Sequence, residues 1–193
     1  MPPKVKFTQE EVVRAAMAVV EESGLHSLTA RRIATRLGAS TAPVYQSFAT
    51  MDALASAVVK ETQHLLLDYT SRRYTDRVFL NMGTGVAMFA HEHPELYRAL
   101  MLESNSYGDV ISEFLETLES HMKEDSRLTS LSDIERRELL GKMWVYTHGL
   151  ASLICVGLIK NCNQALIMDK LMDVGADVIG STLAKHMNKR KAE

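Results

Sequence analysis

Apolar positions recur at helical spacing along nearly the whole chain, and no stretch shows the strict alternation of a half-buried strand. The first periodic run opens at a capping box, Thr8 with Glu11, with Phe7 and Val12 placed to form a hydrophobic staple around it. Val12, Ala16, Val19 and Val20 share one face of this helix, and Gly24 ends it. Residues 29–48, TARRIATRLGASTAPVYQSF, then read as two short helices around a tight turn. Ile33, Ala34 and Leu37 form the inner face of the first, and Gly38 ends it at a position suited to the left-handed conformation. Ser40 is placed to cap the second, whose inner stripe is Val44 and Phe48. Ala34 is small enough for a crossing helix to come close. This is the pattern of a helix-turn-helix, in which the second helix enters the major groove of DNA.

Beyond Phe48, Thr50 caps a long helix expected to reach about Tyr74, with Leu54, Val58, Leu65 and Tyr69 along one side. Pro94 and the break SNSYG at 104–108 bound two further helices at about 78–92 and 94–103. Val110, Ile111, Phe114, Leu115, Leu118 and Met122 predict another over 109–123. Ser132 and Glu135 form a second capping box, opening a helix expected to run to Lys160. Its second half, MWVYTHGLASLICVGLI, is apolar almost all round but only 17 residues long. A bilayer span needs about 20 mainly apolar residues, so a helix buried on all sides, and no membrane partner, is expected. The last helix carries Ile167, Leu171, Val174, Val178, Ile179 and Leu183 at helical spacing, interrupted by Gly175, Ala176 and Gly180. A helical Gly costs about 1 kcal/mol relative to Ala, and close packing is the expected compensation. The tail from His186 is expected to fray. The fold class is therefore all-α, with about nine helices. A three-helix DNA-binding head occupies 7–52, the fourth helix links it onward to about 75, and a larger helical domain spans 76–187.

With 193 residues, 46% of them apolar, the chain can build a substantial core. A net charge of −2 excludes a basic nucleic-acid coat, so any DNA affinity must come from a local patch. Such a patch exists: between Ser23 and Met51 there is no Asp or Glu, while Arg31, Arg32 and Arg36 supply positive charge. The first 50 residues hold six Lys/Arg against four Asp/Glu, and the remainder sixteen against twenty. Lys4 and Lys6 make the N-terminal tail a possible basic arm on DNA. An ordinary helical hairpin with a solvated basic face is the competing reading. Cys155 and Cys162 are too few for a disulfide framework, and MPPKVKFTQEE has no apolar signal region, so a cytoplasmic protein is expected. No basic residue closely precedes Cys155, which favours an inert thiol over a redox sensor. His91 and His93, two apart, point in different directions on a helix, so no metal and no cofactor is expected. No nucleophile–base pair suggests an enzyme.

The segment LTARRIATRLGASTAPVYQSF followed by MDAL, behind a capped first helix, resembles the DNA-binding segment of TetR-family transcriptional regulators over about a quarter of the chain. HPELYRALM and the W-x-x-x-H-G at Trp144, His148 and Gly149 are similar to pieces of that family's C-terminal ligand-binding domains. The resemblance implies that Thr29 anchors a phosphate and that Arg31 and Arg32 reach the groove rim or backbone. It places Thr41, Ala42, Pro43 and Gln46 at base edges and the Tyr45 hydroxyl on a phosphate, and Ser40 and Ser47 complete the contact set. Core packing is the alternative for Tyr45. Many members carry a His or aromatic residue at the place of Ser47 and a Lys at that of Met51, so a phosphate contact is expected to be missing at each, with Lys60 or the N-terminal lysines compensating.

One short recognition helix reads few base pairs, so a two-fold dimer is needed. The resemblance puts the homodimer interface on helices 132–160 and 165–187; the alternative is that these only complete the monomer core. The helices of 78–160 would enclose an effector pocket walled by Met82, Met88, Phe89, Met101, Phe114, Met122, Met143, Trp144 and His148, plain core being the competing role for each. The function implied is a repressor released from a palindromic double-stranded DNA operator by an unknown small molecule. The alternatives are an architectural or division-linked DNA-binding factor without an effector, and a helical small-molecule binder or enzyme that keeps the head as scaffold.

Overall fold

In the computed structural model of the chain, which describes residues 7–103 and 108–192, α1 (Gln9–Ser23) begins where its capping box predicts. Thr8 Oγ1 accepts the Glu11 N–H at 3.2 Å, and the Glu11 carboxylate accepts the Thr8 N–H at 2.7 Å. A 3-10 turn at Leu25–Ser27 leads to α2 (Ala30–Leu37), α3 (Ala42–Ser47) and the long α4 (Met51–Ser71). There follow α5 (Val78–Glu92), α6 (Pro94–Met101), α7 (Gly108–Met122), another 3-10 turn at Ser126–Leu128, α8 (Asp133–Cys155) and α9 (Gln164–Ala192). The fold is all-α, and no strand occurs among the described residues. Lys4, Lys6, residues 104–107 of the SNSYG break and the Val110 side chain lie outside the described residues.

These helices form two compact units, the first drawn from Met1–Leu65 and His93–Val110, the second from Leu66–Glu92 and Ile111–Glu193. In the first, Val12, Ala16, Val19 and Val20 of α1 are buried with Ile33, Ala34, Val44, Phe48, Leu54 and Val58. Each of the larger side chains contributes about 1.5–3 kcal/mol by leaving water. α6 joins this unit by packing on α1, with Leu96, Tyr97 and Leu100 buried and His93 Nδ1 2.5 Å from Glu21 Oε1.

In the second unit α5 packs against both α8 and α9. The last turns of α4 cross α5 where Gly85 leaves room: a Cβ there would stand 2.3 Å from the Tyr69 carbonyl oxygen. In the last turns of α4, Leu66 is fully buried, whereas the expected Leu65 is only half-buried. α4 ends at Ser71, short of Tyr74, because Asn81 captures the following loop: its Oδ1 accepts the Thr75 N–H at 2.8 Å and its Nδ2 donates to the Thr75 carbonyl at 2.9 Å. Asp125, nearly fully buried, ties the 3-10 turn to α5 by accepting the Phe79 N–H at 3.0 Å.

Two features of α8 differ from the sequence expectation. It stops at Cys155 rather than Lys160, because Gly157 takes a positive φ of 73°. The Leu158 N–H then bonds the Leu153 carbonyl and the Gly157 N–H the Ile154 carbonyl, both at 2.9 Å, which is a Schellman stop. Nor is its second half buried all round in the single chain: Val145 is 73% exposed, and Leu153 and Val156 are exposed on the same helix. α9, expected to fray from His186, stays helical to Ala192. His186 Nδ1 lies 3.0 and 3.1 Å from the two Glu135 oxygens, which anchors this end of α9 to the start of α8.

Candidate nucleic-acid interface and cavity

The turn between α2 and α3 is set by Gly38, whose φ of 63° and ψ of 33° lie in the left-handed region. The Ala39 N–H returns to the Ala34 carbonyl at 3.0 Å, closing α2 before the chain turns. Thr29 caps the other end of α2, accepting the Arg32 N–H at 3.3 Å, and its hydroxyl proton remains available to a phosphate. The N-cap of α3 is Thr41 rather than Ser40, and Thr41 makes no side-chain cap bond. Ser40 Oγ instead accepts the Ala42 N–H at 3.4 Å, one residue earlier than expected, because the chain already turns helical at Thr41.

Burial of Val44 and Phe48 on one side of α3 forces the other side outward. Thr41, Ala42, Tyr45 and Gln46 are exposed together with Ser40, while Pro43 and Ser47 are half-buried at the edges. Tyr45, at 58% exposure, does not serve the core. Thr29, Arg31 and Arg32 are exposed on α2 and its cap. Charge is distributed less evenly than the count of arginines suggests. Arg36 Nη1 donates to Glu22 at 3.0 Å, so its charge is offset within the head, and Arg32 Nη2 donates to Ser23 Oγ at 2.7 Å. Arg31 makes no side-chain bond to any described residue and is the guanidinium open to an outside anion.

Residues 12–58, which contain this helix pair, match the family described as "Bacterial regulatory proteins, tetR family". The head is a TetR-family DNA-binding domain. The whole chain also shares the fold of solved regulators. One is SCO7222, a TetR from Streptomyces coelicolor, with 15% identity, 90% of this chain and 98% of that chain covered, and a TM-score of 0.67. Another is the transcriptional regulator RHA1_ro04179 from Rhodococcus sp. RHA1, with 20% identity, coverages of 93% and 97%, and a TM-score of 0.68. A third is SmeT, the repressor of the Stenotrophomonas maltophilia multidrug efflux pump SmeDEF, with 18% identity, coverages of 93% and 90%, and a TM-score of 0.55. No curated protein matches the chain by sequence. The all-α architecture of the chain is thus the fold that these solved regulators share.

The second unit encloses a cavity of about 310 Å³, walled mainly by apolar side chains of α5, α8 and α9. Of the residues proposed as effector-pocket walls, Met82, Met143 and Trp144 line it. The other proposed wall residues lie elsewhere. Phe89, Phe114 and Met122 are fully buried core. Met88 packs against the cluster of Ala87, Leu150, Ile154, Ile167 and Leu171. Met101 ends α6, in the first unit. His148 stacks on Trp144 at 5.5 Å, outside the cavity lining, and burial pushes its imidazole pKa down. Gly83, Gly175, Ala176 and Gly180 open the cavity by presenting little or no side chain to it. Residues at its mouth that sequence reasoning did not single out are Arg77 and Arg127, neither of which falls on an apolar stripe. Burial pushes the Cys162 thiol up, the wrong direction for a reactive thiolate. Among the described residues no group of three or more His, Cys, Asp or Glu could hold a metal ion, and no helix is long and apolar enough to cross a membrane.

Proposed function

We propose that the protein is a cytoplasmic, homodimeric repressor that a small molecule releases from a palindromic DNA operator. The observation that carries this reading is the outward face of α3, where Thr41, Ala42, Tyr45 and Gln46 stand exposed over a buried Val44 and Phe48 beside the open Arg31. The Thr41 methyl and Ala42 suit a thymine methyl, Gln46 can pair with adenine, and Thr29, Arg31 and Tyr45 take phosphates. Dimerisation through α8 and α9 is supported by the apolar groups the single chain leaves in water, with Ile134 and Val145 of α8 each more than two-thirds exposed and Met172 and Met187 of α9 exposed as well. A second copy meeting this surface across a two-fold axis would cover it and set two α3 helices on two half-sites.

The cavity supports an effector over the architectural alternative, for which a filled interior would be expected. SmeT, similar in fold, is described as a repressor, which favours that sense of regulation here. A ligand that prefers a state whose heads are misplaced for the operator shifts the population off DNA by the difference in its two affinities. α4 is the covalent lever, since it contributes to both units. Selection of operator sequences from random DNA, followed by titration in rising salt, tests the reading. Recovery of a palindrome bound with a steep salt dependence is expected; binding with no sequence preference would defeat it.

A further inference from the structure

The chemistry at the cavity mouth is more specific than an apolar pocket requires. Arg127 is held in place by Asp125, donating from Nε to Oδ1 at 3.0 Å and from Nη2 to Oδ2 at 2.8 Å. That fork fixes the guanidinium plane while leaving its remaining N–H groups unpaired by Asp125. Arg77, one residue before α5, has its backbone pinned, its N–H on Thr75 Oγ1 at 3.0 Å and its carbonyl accepting the Asn81 N–H at 3.0 Å. Its guanidinium bonds to no described residue. Both arginines line the cavity, and Asp125 balances only one of them, so the mouth carries one positive charge in excess. Behind it the walls are Leu80, Met82, Val86, Met143, Trp144 and Leu171, with no acid among the lining residues.

We propose that this cavity takes a medium-chain monocarboxylic acid, its carboxylate held between Arg77 and Arg127 and its apolar chain laid along α5. The excess of one charge matches a monoanion. The lining runs from Arg77, just before α5, to Val86 on it, about 13 Å at 1.5 Å per residue. The volume of about 310 Å³ lies at the lower end of small-ligand pockets, about 300–1,000 Å³. The length suits a chain of about ten carbons. The regulatory meaning of this ligand rests on the effector reading above, whereas its binding does not.

Trp144 is the only tryptophan and lines the cavity, so its fluorescence in the full-length protein reports occupancy directly. Decanoate, decan-1-ol and decyltrimethylammonium differ only in the head group. Decanoate is expected to perturb Trp144 saturably, the alcohol to bind at least about tenfold more weakly, and the cation not to bind, as loss of a charge-assisted pair implies. R77Q should weaken decanoate by about tenfold and leave decan-1-ol unchanged, with R77K recovering part of the loss. The unliganded thermal midpoint of R77Q should match the parent, since the side chain is exposed. Equal affinity for acid and alcohol, or an R77Q variant that binds decanoate undiminished, overturns the proposal. Operator binding on the same samples separates the two readings. Decanoate that occupies the cavity without loosening operator removes the effector role and keeps the ligand class. A neutral compound that releases operator where decanoate does not bind removes the ligand class and keeps the effector role.

Discussion

Gly85 is where α5 comes up against the backbone of α4, and replacing it with Ala tests how firmly that crossing is held. The added Cβ would stand 2.3 Å from the Tyr69 carbonyl oxygen, 2.5 Å from the carbonyl carbon and 2.6 Å from Thr70 Cα. These are backbone atoms and cannot swing aside. Ordinary carbon contacts lie at about 3.5–4.0 Å, so α4 must retreat by about 1 Å. The retreat also disturbs Tyr69, whose ring meets Phe89 edge-on at 5.4 Å and whose hydroxyl donates to Glu92. Overpacking of this kind costs about 1–3 kcal/mol, and a rigid obstacle argues for the upper end. Ala over Gly in a helix interior returns about 1 kcal/mol. The net loss is about 2 kcal/mol, a fall of about 4–8 °C in Tm for a chain this size. Gly83 on the same helix is the control. Its Cβ would meet Leu171 Cδ1 and Thr147 Oγ1 at 3.5 Å, an ordinary contact, so G83A should be neutral or raise Tm by a few degrees. Circular-dichroism melts at one fixed protein concentration compare the two variants fairly. If G85A melts with G83A, the close crossing of α4 and α5 is wrong.

Other consequences follow from the head, the acid range and the exposed face. M51K should add one phosphate contact per head, steepening the log–log salt slope of a dimer by about 2 and changing affinity about tenfold between 50 and 200 mM salt; an unchanged slope in a fluorescence-anisotropy titration would count against it. Y45F should weaken operator binding severalfold without altering the selected sequence, since phosphate contacts position and do not specify. The Ser132 N–H, then the Ser132 hydroxyl and His186, hold the Glu135 carboxyl down from 4.5 to about 2. A depressed carboxylate stabilises the fold above its unfolded value and loses that contribution as pH falls through the folded one. Urea midpoints should therefore drop between about pH 4.5 and 2, and E135Q should flatten that drop. V145E places a charge on the most exposed apolar position of α8, so sedimentation should show monomer with the helical content unchanged.

Legibility in the sequence followed how local the determinant was. Both capping boxes, Thr8 with Glu11 and Ser132 with Glu135, form as expected because all partners lie within one turn. α5 occupies Val78–Glu92, the expected span, since Pro94 restricts the residue before it and opens the next helix. The helix pair was readable for the same reason: Gly38, Val44 and Phe48 determine which side of α3 faces outward, whatever the rest of the chain does. Gly157 is as local a stop signal as Gly38, but the apolar run continues past it to Ile159 and so extends the expected helix. Arg36 shows the limit in the head. Its cancellation by Glu22 depends on α1 and α2 packing together, 14 residues apart in sequence.

The body was less legible because the same residue type serves opposite ends there. Small residues in a helix interior suggest close approach, and at Gly85 they deliver it, with α4 backbone inside normal contact distance. At Gly180 no atom lies within 4 Å of the missing Cβ, and at Gly175 only Met143 Cε does, at 3.7 Å. Those glycines do not bring backbones together; they leave the volume that becomes the cavity. Periodicity cannot tell a glycine that admits a helix from one that admits a ligand, since both interrupt a run of apolar residues at helical spacing. The distinguishing signal lies off the stripe, in Arg77 and Arg127, the two charged residues among the cavity's lining, of which only Arg127 is paired with a carboxylate.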